Sequence, residues 1–316
     1  MVATVAAMTF AASGYGQAYP ARPVKVIVPQ PPGGGFDLVA RTLSEPLAKL
    51  LGQPVIVENR PGSGTLVGTE AAAKSDPDGY TLLLGALANL ALNPGLYSKL
   101  PYDPKLDFVP IGLAASFPYT LISRNDLPVT TFGELIAYAR ANPDKLTYAS
   151  AGNGTGQHVG AAVLWHLAGV KLTHVPYKGA QPAYQDLLPG RVDLFFDNSS
   201  TARVHVDTER VKALAVSSPR RLPMHPNVPT IKETGIVDFE METWVGYFAR
   251  SNTPKRVIAQ LRAEFEKVVA MPEVAAAFEK RGATPMRLSA RETEMLVKQD
   301  IDRWTRLVRD AGIKAD

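Results

Sequence analysis

The sequence predicts an α/β fold in which parallel strands alternate with helices. Short apolar runs recur along the chain. Each leads through a glycine-rich or polar loop into a segment whose apolar residues are three and four positions apart. Sheets of this kind carry helices on both faces, and ligands bind where the carboxyl ends of the strands meet the loops. The loops that follow the strands are therefore where a functional site is expected.

The first strand–loop–helix unit shows this pattern clearly. A strand is predicted over residues 24–28, and the loop 29–35 contains three consecutive glycines. The helix that follows has apolar residues at Phe36, Val39, Leu43, Leu47 and Leu50. Pro46 should kink this helix and Gly52 should end it.

Three further units follow the same plan. Their predicted strands are 55–57, 146–150 and 172–177, their loops are 59–64, 151–156 and 178–179, and their helices run through 71–73, over 157–167 and up to 188. Another strand is predicted over 192–196. The uncharged stretch 79–98 is interpreted as a buried strand plus a turn at Asn93-Pro94-Gly95.

The rest of the chain supplies helices and two long extended segments. Capping boxes at Thr131–Glu134 and Ser289–Glu292 each predict a helix start, and Thr253-Pro254 predicts an N-cap and first turn. The extended segments 111–123 and 242–250 are predicted to cross between two lobes. We expect Trp165, Phe195 and Phe196 in the core and His166 on a helix face near it. Trp244 could either line a cleft or pack internally.

Composition excludes several classes of protein. The chain has 316 residues, enough for about two domains, and 46% of them are hydrophobic, as in globular proteins. The absence of cysteine excludes disulfides, cysteine metal sites and a cysteine nucleophile. The net charge of +4 is spread along the chain without a basic stripe, which argues against nucleic acid and suits a small anionic ligand.

The N-terminal segment predicts export. Residues 1–21 carry no charge, and Gly16-Gln17-Ala18 places small residues at the spacing typical of a cleavage site. We interpret residues 1–18 as a signal peptide cut after Ala18, which predicts a periplasmic protein. The alternative is an N-terminal tail that stays on the protein.

The loop 29–35 has the features of an anion site. Glycines let the backbone approach a ligand closely, and the first N–H groups of the following helix are unpaired and partly positive. Such a helix start binds an anion without a cationic side chain. Asp37, in the first turn, could cap those N–H groups or contact the ligand, and capping is favoured.

The loop 150–156 repeats this arrangement in the other predicted lobe. Ser150 and Thr155 add hydroxyls, Asn153 adds an amide, and His158 lies in the helix that follows. If both loops face one cleft, a carboxylate can receive hydrogen bonds from both sides and link the lobes. Each loop taken alone could also be a structural turn, and Lys178 could face an acid or solvent.

Three other kinds of site match the sequence less well. Neither loop ends in the Gly-Lys-Ser/Thr of a P-loop, and Gly62, Gly64 and Gly68 miss the dinucleotide spacing by one residue. Residues 148–152 resemble a nucleophile elbow without its first glycine. The five histidines are dispersed and form no metal motif. No cofactor and no catalytic residue is predicted, although an α/β enzyme or nucleotide-binding protein using the same loops remains the alternative.

The motifs together resemble the Bug family, the periplasmic receptors of tripartite tricarboxylate transporters. The resemblance covers essentially the whole chain after Ala18. It rests on segments 28–41, 58–64, 93–94, 148–158, 175–179, 193–197, 214–218 and 228–230. It implies a two-lobed periplasmic-binding-protein fold, type II-like, with two mixed sheets flanked by helices and joined by crossing strands. The implied lobes are 19–113 with 242–316, and 114–241.

The resemblance also implies a function. The protein would be a monomer that captures a small carboxylate, such as a dicarboxylate, an amino acid or an aromatic acid. It would deliver this ligand to one large and one small membrane subunit. Gln30, Leu90, Thr65 and Ala162 depart from common family residues, and Gln30, Leu90, Asn198 and Ser199 are the candidates for selectivity. The candidate ligand contacts are Gln30, Pro32, Gly33, Gly34, Gly35, Phe36, Asp37, Ala88, Asn89, Ser150, Gly152, Asn153, Gly154, Thr155, His158, Lys178, Asp197, Asn198 and Ser199.

Overall fold

The computed structural model describes residues 19–315, so the predicted signal peptide 1–18 lies outside the described residues. The strands are β1 (Val24–Val28), β2 (Val55–Asn59), β3 (Thr81–Ala86), β4 (Phe108–Arg124), β5 (Thr147–Ser150), β6 (Thr173–Pro176), β7 (Leu194–Asn198), β8 (Val211–Val216), β9 (Glu242–Arg250) and β10 (Thr284–Pro285). The helices are α1 (Gly35–Leu51), α2 (Leu66–Ala73), α3 (Asn93–Leu96), α4 (Phe132–Ala141), α5 (Gly156–Ala168), α6 (Ala180–Leu187), α7 (Ser199–Val206), α8 (Lys255–Ala270), α9 (Pro272–Glu279) and α10 (Ala290–Asp310).

Two mixed sheets share the long strand β4. In the first sheet the order is β2-β1-β3-β9-β4-β10, with β1 parallel to β2 and β3 and with β9 antiparallel to its neighbours. In the second sheet the order is β8-β4-β7-β5-β6, with β5 parallel to β6 and β7. Residues 108–118 of β4 pair with β9, and residues 119–124 pair with the second sheet. The predicted fold of two mixed sheets flanked by helices is confirmed.

The predicted crossing segments correspond to β4 and β9, which pair along the whole of β9. β9 belongs to the first sheet alone, so the chain leaves the second sheet before Glu242. The lobe boundaries after residues 113 and 241 stay a prediction.

Helix α1 shows how the local sequence fixes the element that carries the site. Its residues Val39, Leu43 and Leu47 are buried, whereas Leu50 is 37% exposed and the last buried position is Leu51. The predicted apolar stripe is therefore wrong by one residue at its end. Gly52 ends the helix in the left-handed conformation, with φ of 68°.

Both predicted capping boxes form. Thr131 Oγ1 accepts a hydrogen bond from the Glu134 N–H at 3.1 Å, and Ser289 Oγ accepts one from the Glu292 N–H at 3.3 Å. The N-cap of α8 is Pro254 rather than Thr253, because the chain stays extended through the proline.

Three other interpretations change. Asn93-Pro94-Gly95 forms α3 instead of a turn, since proline has no N–H to lose in the first turn of a helix. His166 is exposed near the end of α5 rather than close to the core. Trp244 is 2% exposed and its Nε1 donates to Asp300 at 2.7 Å, so it packs internally.

The remaining core predictions hold. Trp165, Phe195 and Phe196 are buried. None of the helices between residues 19 and 315 combines the length and the apolar character needed to cross a membrane.

Candidate ligand-binding site

A cleft of about 800 Å³ lies between the two sheets. It is lined mainly by loops that follow parallel strands, namely those after β1, β2, β5, β6 and β7. Tyr119 on β4 and Thr243 on β9 also line it. The cleft is thus at the carboxyl ends of the strands, where ligands bind in this class of fold.

The first wall of the cleft is the start of α1. Gly33 has a φ of 82°, which only glycine adopts readily, and it turns the chain into the helix. The first bond of the helix joins the Leu38 N–H to the Gly34 carbonyl at 3.0 Å. The N–H groups of Gly35, Phe36 and Asp37 therefore have no acceptor among the described residues. Gly34 and Gly35 line the cleft, and a Cβ at Gly35 would meet nothing within 4 Å.

Asp37 holds this loop in shape instead of facing the ligand. Its Oδ2 accepts from the Gly33 N–H and from Arg41 Nε, both at 2.9 Å, and its Oδ1 accepts from Asn59 Nδ2 at 3.0 Å. The Arg41 guanidinium lowers the pKa of this carboxyl below its usual value, as do the hydrogen bonds from Gly33 and Asn59. The predicted cap on the helix N–H groups does not form, because Asp37 bonds instead to the Gly33 N–H, which precedes the N-cap Gly34.

A second part of the cleft lining is the start of α5, which follows β5 of the second sheet. Thr155 is its N-cap, and its Oγ1 accepts from the His158 N–H at 3.3 Å. The Gly154 N–H is also used, since it donates to His158 Nδ1 at 3.2 Å. The N–H groups of Gly156 and Gln157 have no acceptor among the described residues, and both residues line the cleft.

Two neutral histidines, His158 and His174, contact the loop before α5 and hold it in place. His174 Nε2 lies 2.7 Å from Ser150 Oγ, and the ring of His174 stacks on that of His158 with centroids 4.0 Å apart. Burial lowers the pKa of His158 to about 4, and burial together with the neighbouring His158 lowers that of His174 to about 4. Nδ1 of His158 must be unprotonated to accept from Gly154, which agrees with a neutral ring.

A buried carboxyl orients the side chain of Gln157. Asp197 accepts from Tyr184 Oη at 2.9 Å and from Gln157 Nε2 at 3.3 Å. It is fully buried without an ion pair among the described residues, and burial raises its pKa to about 6. Asp197 therefore acts through Gln157 and does not itself line the cleft.

The electrostatics of the cleft favour an anion. No aspartate or glutamate is among the described residues that line it, whereas Lys178 and Arg281 are. Neither cation forms an ion pair with a carboxylate in the described part of the chain. Helix starts add partial positive charge at the same place.

Comparisons with known proteins identify the family. The model of the tripartite tricarboxylate transporter family receptor, TctC, matches residues 39–313. The chain belongs to this family. This receptor is 36% identical to BugT of Bordetella pertussis over 297 residues, covering 94% of this chain and 91% of BugT. The predicted Bug-family membership is confirmed.

Solved structures of similar proteins share the two-lobed fold. Rpa4515 of R. palustris with adipate superposes with a TM-score of 0.81 at 32% identity, covering 93% of this chain and 99% of that one. MatC of Rhodopseudomonas palustris with bound malate has a TM-score of 0.80 at 33% identity, with coverage of 92% and 100%. The matched family is one of receptors, and the similar structure of BugD, with a TM-score of 0.79 at 37% identity, is that of a periplasmic binding protein, which agrees with the prediction of a binding protein.

The structure divides the predicted contacts of this receptor into two groups. Those that line the cleft are Gln30, Gly34, Gly35, Phe36, Ala88, Asn153, Gly154, Thr155, Lys178 and Asn198. Those that do not are Pro32, Gly33, Asp37, Asn89, Ser150, Gly152, His158, Asp197 and Ser199. Several of the second group hold the loops in place.

Two candidates for selectivity are buried away from the cleft. Leu90 is fully buried in the core beside Gly85, and Ser199 Oγ accepts from Thr120 Oγ1 at 2.8 Å. Asn89 is likewise internal, bonded to the Ala86 N–H and to Thr69. Gln30 and Asn198 line the cleft and remain the candidates.

Sequence reasoning missed several lining residues. Gly62, Gly64 and Thr65 follow β2, and the glycine-rich loop there was a signal that could have found them. Gly156 and Gln157, two and three residues beyond Gly154, carry the unpaired N–H groups. Tyr119, Thr243, Phe278 and Arg281 come from distant parts of the chain and had no local signal.

The buried Ser150 differs from a hydrolase nucleophile. The structure does place a histidine beside it, but Ser150 is fully buried and does not line the cleft. A nucleophile must reach its substrate, so the serine serves the loop. Within residues 19–315, no cluster of three His, Cys, Asp or Glu side chains could hold a metal ion.

Proposed function

We propose that this receptor is a monomeric periplasmic solute-binding protein that holds the carboxylate of a small organic acid between the starts of α1 and α5. The observation that carries the proposal is the pair of opposing donor sets, Gly35-Phe36 and Gly156-Gln157, in a cleft without carboxylates among its described lining residues. The relatives with bound adipate and malate support the same class of ligand.

The energy available fits reversible capture. A hydrogen bond to a charged group contributes roughly 1.5–3 kcal/mol. About four such bonds offset an association cost of several kcal/mol and leave a micromolar dissociation constant, about −8 kcal/mol. Lys178 adds positive charge, while Gln30, Ala88, Asn153 and Asn198 surround the bound acid.

Binding should also close the cleft. The two donor sets are on different sheets, so in the open receptor only the bound anion joins them. Closure then marks the loaded receptor, and one large and one small membrane subunit would recognise that form for import. The receptor performs no chemistry on the acid in this proposal.

Calorimetry and thermal shift against mono-, di- and tricarboxylates, with nucleotides alongside, test the proposal. We expect carboxylates to bind and to remain chemically unchanged, and the acid that copurifies with the receptor should be identifiable by mass spectrometry. Binding of nucleotides without carboxylates would favour a nucleotide-binding protein, and turnover of the acid would favour an enzyme.

Gly35→Val provides the matched structural test. The new side chain would extend into open space at the start of α1, so folding should be unchanged and affinity should fall at least tenfold. The control is Gly133→Val, near the start of α4 and outside the cleft. There an added Cβ would lie 3.6 Å from its nearest neighbour, Ile236 Cδ1, which is an ordinary contact distance. Equal affinities for the two variants would contradict the proposed site.

A further inference from the structure

The cleft extends beyond the two helix starts along the surface of α1. Besides Gly35, it is lined by Leu38, Val39 and Thr42, which share one face of this helix. From Gly35 to Thr42 the helix rises about 10 Å. This wall offers little hydrogen-bonding capacity, because the Thr42 hydroxyl donates to the Leu38 carbonyl at 2.8 Å.

Further along the cleft, its lining comes from the end of α9, which packs against α1, and from the start of α7. Phe278 in α9 lines the cleft, as do Ser200 and Thr201 in α7. The turn after α9 approaches α7 so closely that a Cβ at Gly282 would lie 2.5 Å from Ser200 Cβ. This part of the cleft is therefore bounded by two helices that pack on different sheets: α9 contacts β10 of the first sheet, and α7 contacts β7 of the second.

Arg281 lies in that same turn and lines the cleft. Its Nη1 donates to the Ala277 carbonyl at 2.8 Å, and its other guanidinium hydrogens have no acceptor among the described residues. No described carboxylate forms an ion pair with it. A guanidinium in this state is suited to a carboxylate, which it can bind through two parallel hydrogen bonds.

We propose that Arg281 forms a second anionic subsite, separated from the helix starts by the apolar wall of α1 and Phe278. The ligand would then be an elongated acid with a charged group at each end and an apolar middle, that is, an α,ω-dicarboxylate longer than succinate. This inference rests on the proposed function, because it takes the first carboxylate to be held at Gly35 and Gly156.

The chain-length dependence of binding tests the apolar part. Calorimetry with succinate, adipate and suberate should show affinity rising by about fourfold for each methylene that enters the cleft. Suberate should also bind about threefold more tightly than octanoate, which has the same length and one carboxylate. Octanoate binding as tightly as suberate would overturn the second anionic subsite.

Arg281→Gln tests the charged part. It should weaken suberate binding about threefold, because Arg281 is exposed and its ion pair is partly screened by solvent, and it should leave octanoate binding unchanged, because octanoate has no second carboxylate. The matched control is Lys280→Gln, the neighbouring exposed cation, which does not line the cleft and removes the same charge. Equal effects of the two variants on suberate would overturn the subsite.

The outcomes separate this inference from the proposed function. If succinate binds to the wild type and Arg281→Gln changes the affinity for none of the acids, the proposal of the second subsite is wrong and the first carboxylate site stands. If no carboxylate of the series binds, both are wrong. Tighter binding of suberate that is lost in Arg281→Gln and retained in Lys280→Gln supports both.

Discussion

The two helix starts present the same chemical groups but are built differently. The loop before α1 is largely exposed and is held by the charged group of Asp37, which bonds to Gly33, Arg41 and Asn59. The loop before α5 is packed against Tyr119 and is held by neutral groups, chiefly His158, His174 and Ser150. A loop with unpaired N–H groups can thus be held in place either by a charged side chain or by packing. The two loops should therefore respond differently to substitution and to pH.

The largest expected difference concerns the glycines at the two helix starts. A Cβ at Gly156 would lie 2.0 Å from Tyr119 Oη, whereas Gly35 has open space. Gly156→Val should therefore lower the free energy of unfolding by about 3 kcal/mol, because the crossing strand must move. Urea denaturation of Gly156→Val and Gly35→Val measures this. Equal stabilities would show that the second loop is not the tightly packed one.

The next effect concerns the charged support. Asp37→Asn removes the acceptor charge for Gly33 and Arg41 in a side chain that is 4% exposed. The free energy of unfolding should fall by about 2 kcal/mol. Glu45→Gln in the same helix breaks an exposed pair with Lys49 and should leave stability unchanged. The urea midpoints of the two variants measure this difference. Similar losses of stability in both variants would contradict a special role for Asp37.

The last comparison concerns the dependence of stability on pH that the histidines of the second loop should produce. His158 and His174 have pKa values of about 4 instead of 6.5, so between these values the unfolded chain binds more protons and stability falls as the pH falls. Asp197, with its pKa raised to about 6, opposes this between pH 6 and 3.8, since its folded form binds the extra proton. Around the second loop the two histidines therefore outweigh Asp197, and their contribution to stability is lost on acidification.

Urea midpoints from pH 7.5 to pH 4 should show this loss, and His158→Asn should reduce it. Over most of that range Asp37 is ionised in both the folded and the unfolded chain, because its pKa is lowered from 3.8, so the first loop should contribute little. A flat profile in the wild type, or an unchanged slope in His158→Asn, would contradict the assignment to the histidines.

Much of the fold was predictable because its signals are local. The alternation of strands and helices, both capping boxes and Gly52 at the end of α1 depend on residues a few positions apart. The two glycine-rich loops were likewise found, since a helix start after a strand leaves unpaired donors wherever it occurs. The prediction of a turn at residues 93–95 was wrong, because proline and glycine are also tolerated within a short helix such as α3.

The sequence by itself therefore determined the α/β class and the two loops that carry the candidate site. Only the tertiary structure decided which donors remain unpaired. The N–H of Gly154 is used by the ring of His158, and the free groups are those of Gly156 and Gln157. It also brought Arg281 and Phe278 into the cleft and buried Leu90 and Trp244. These outcomes depend on contacts between segments far apart in the chain, and local patterns carry no information about such contacts.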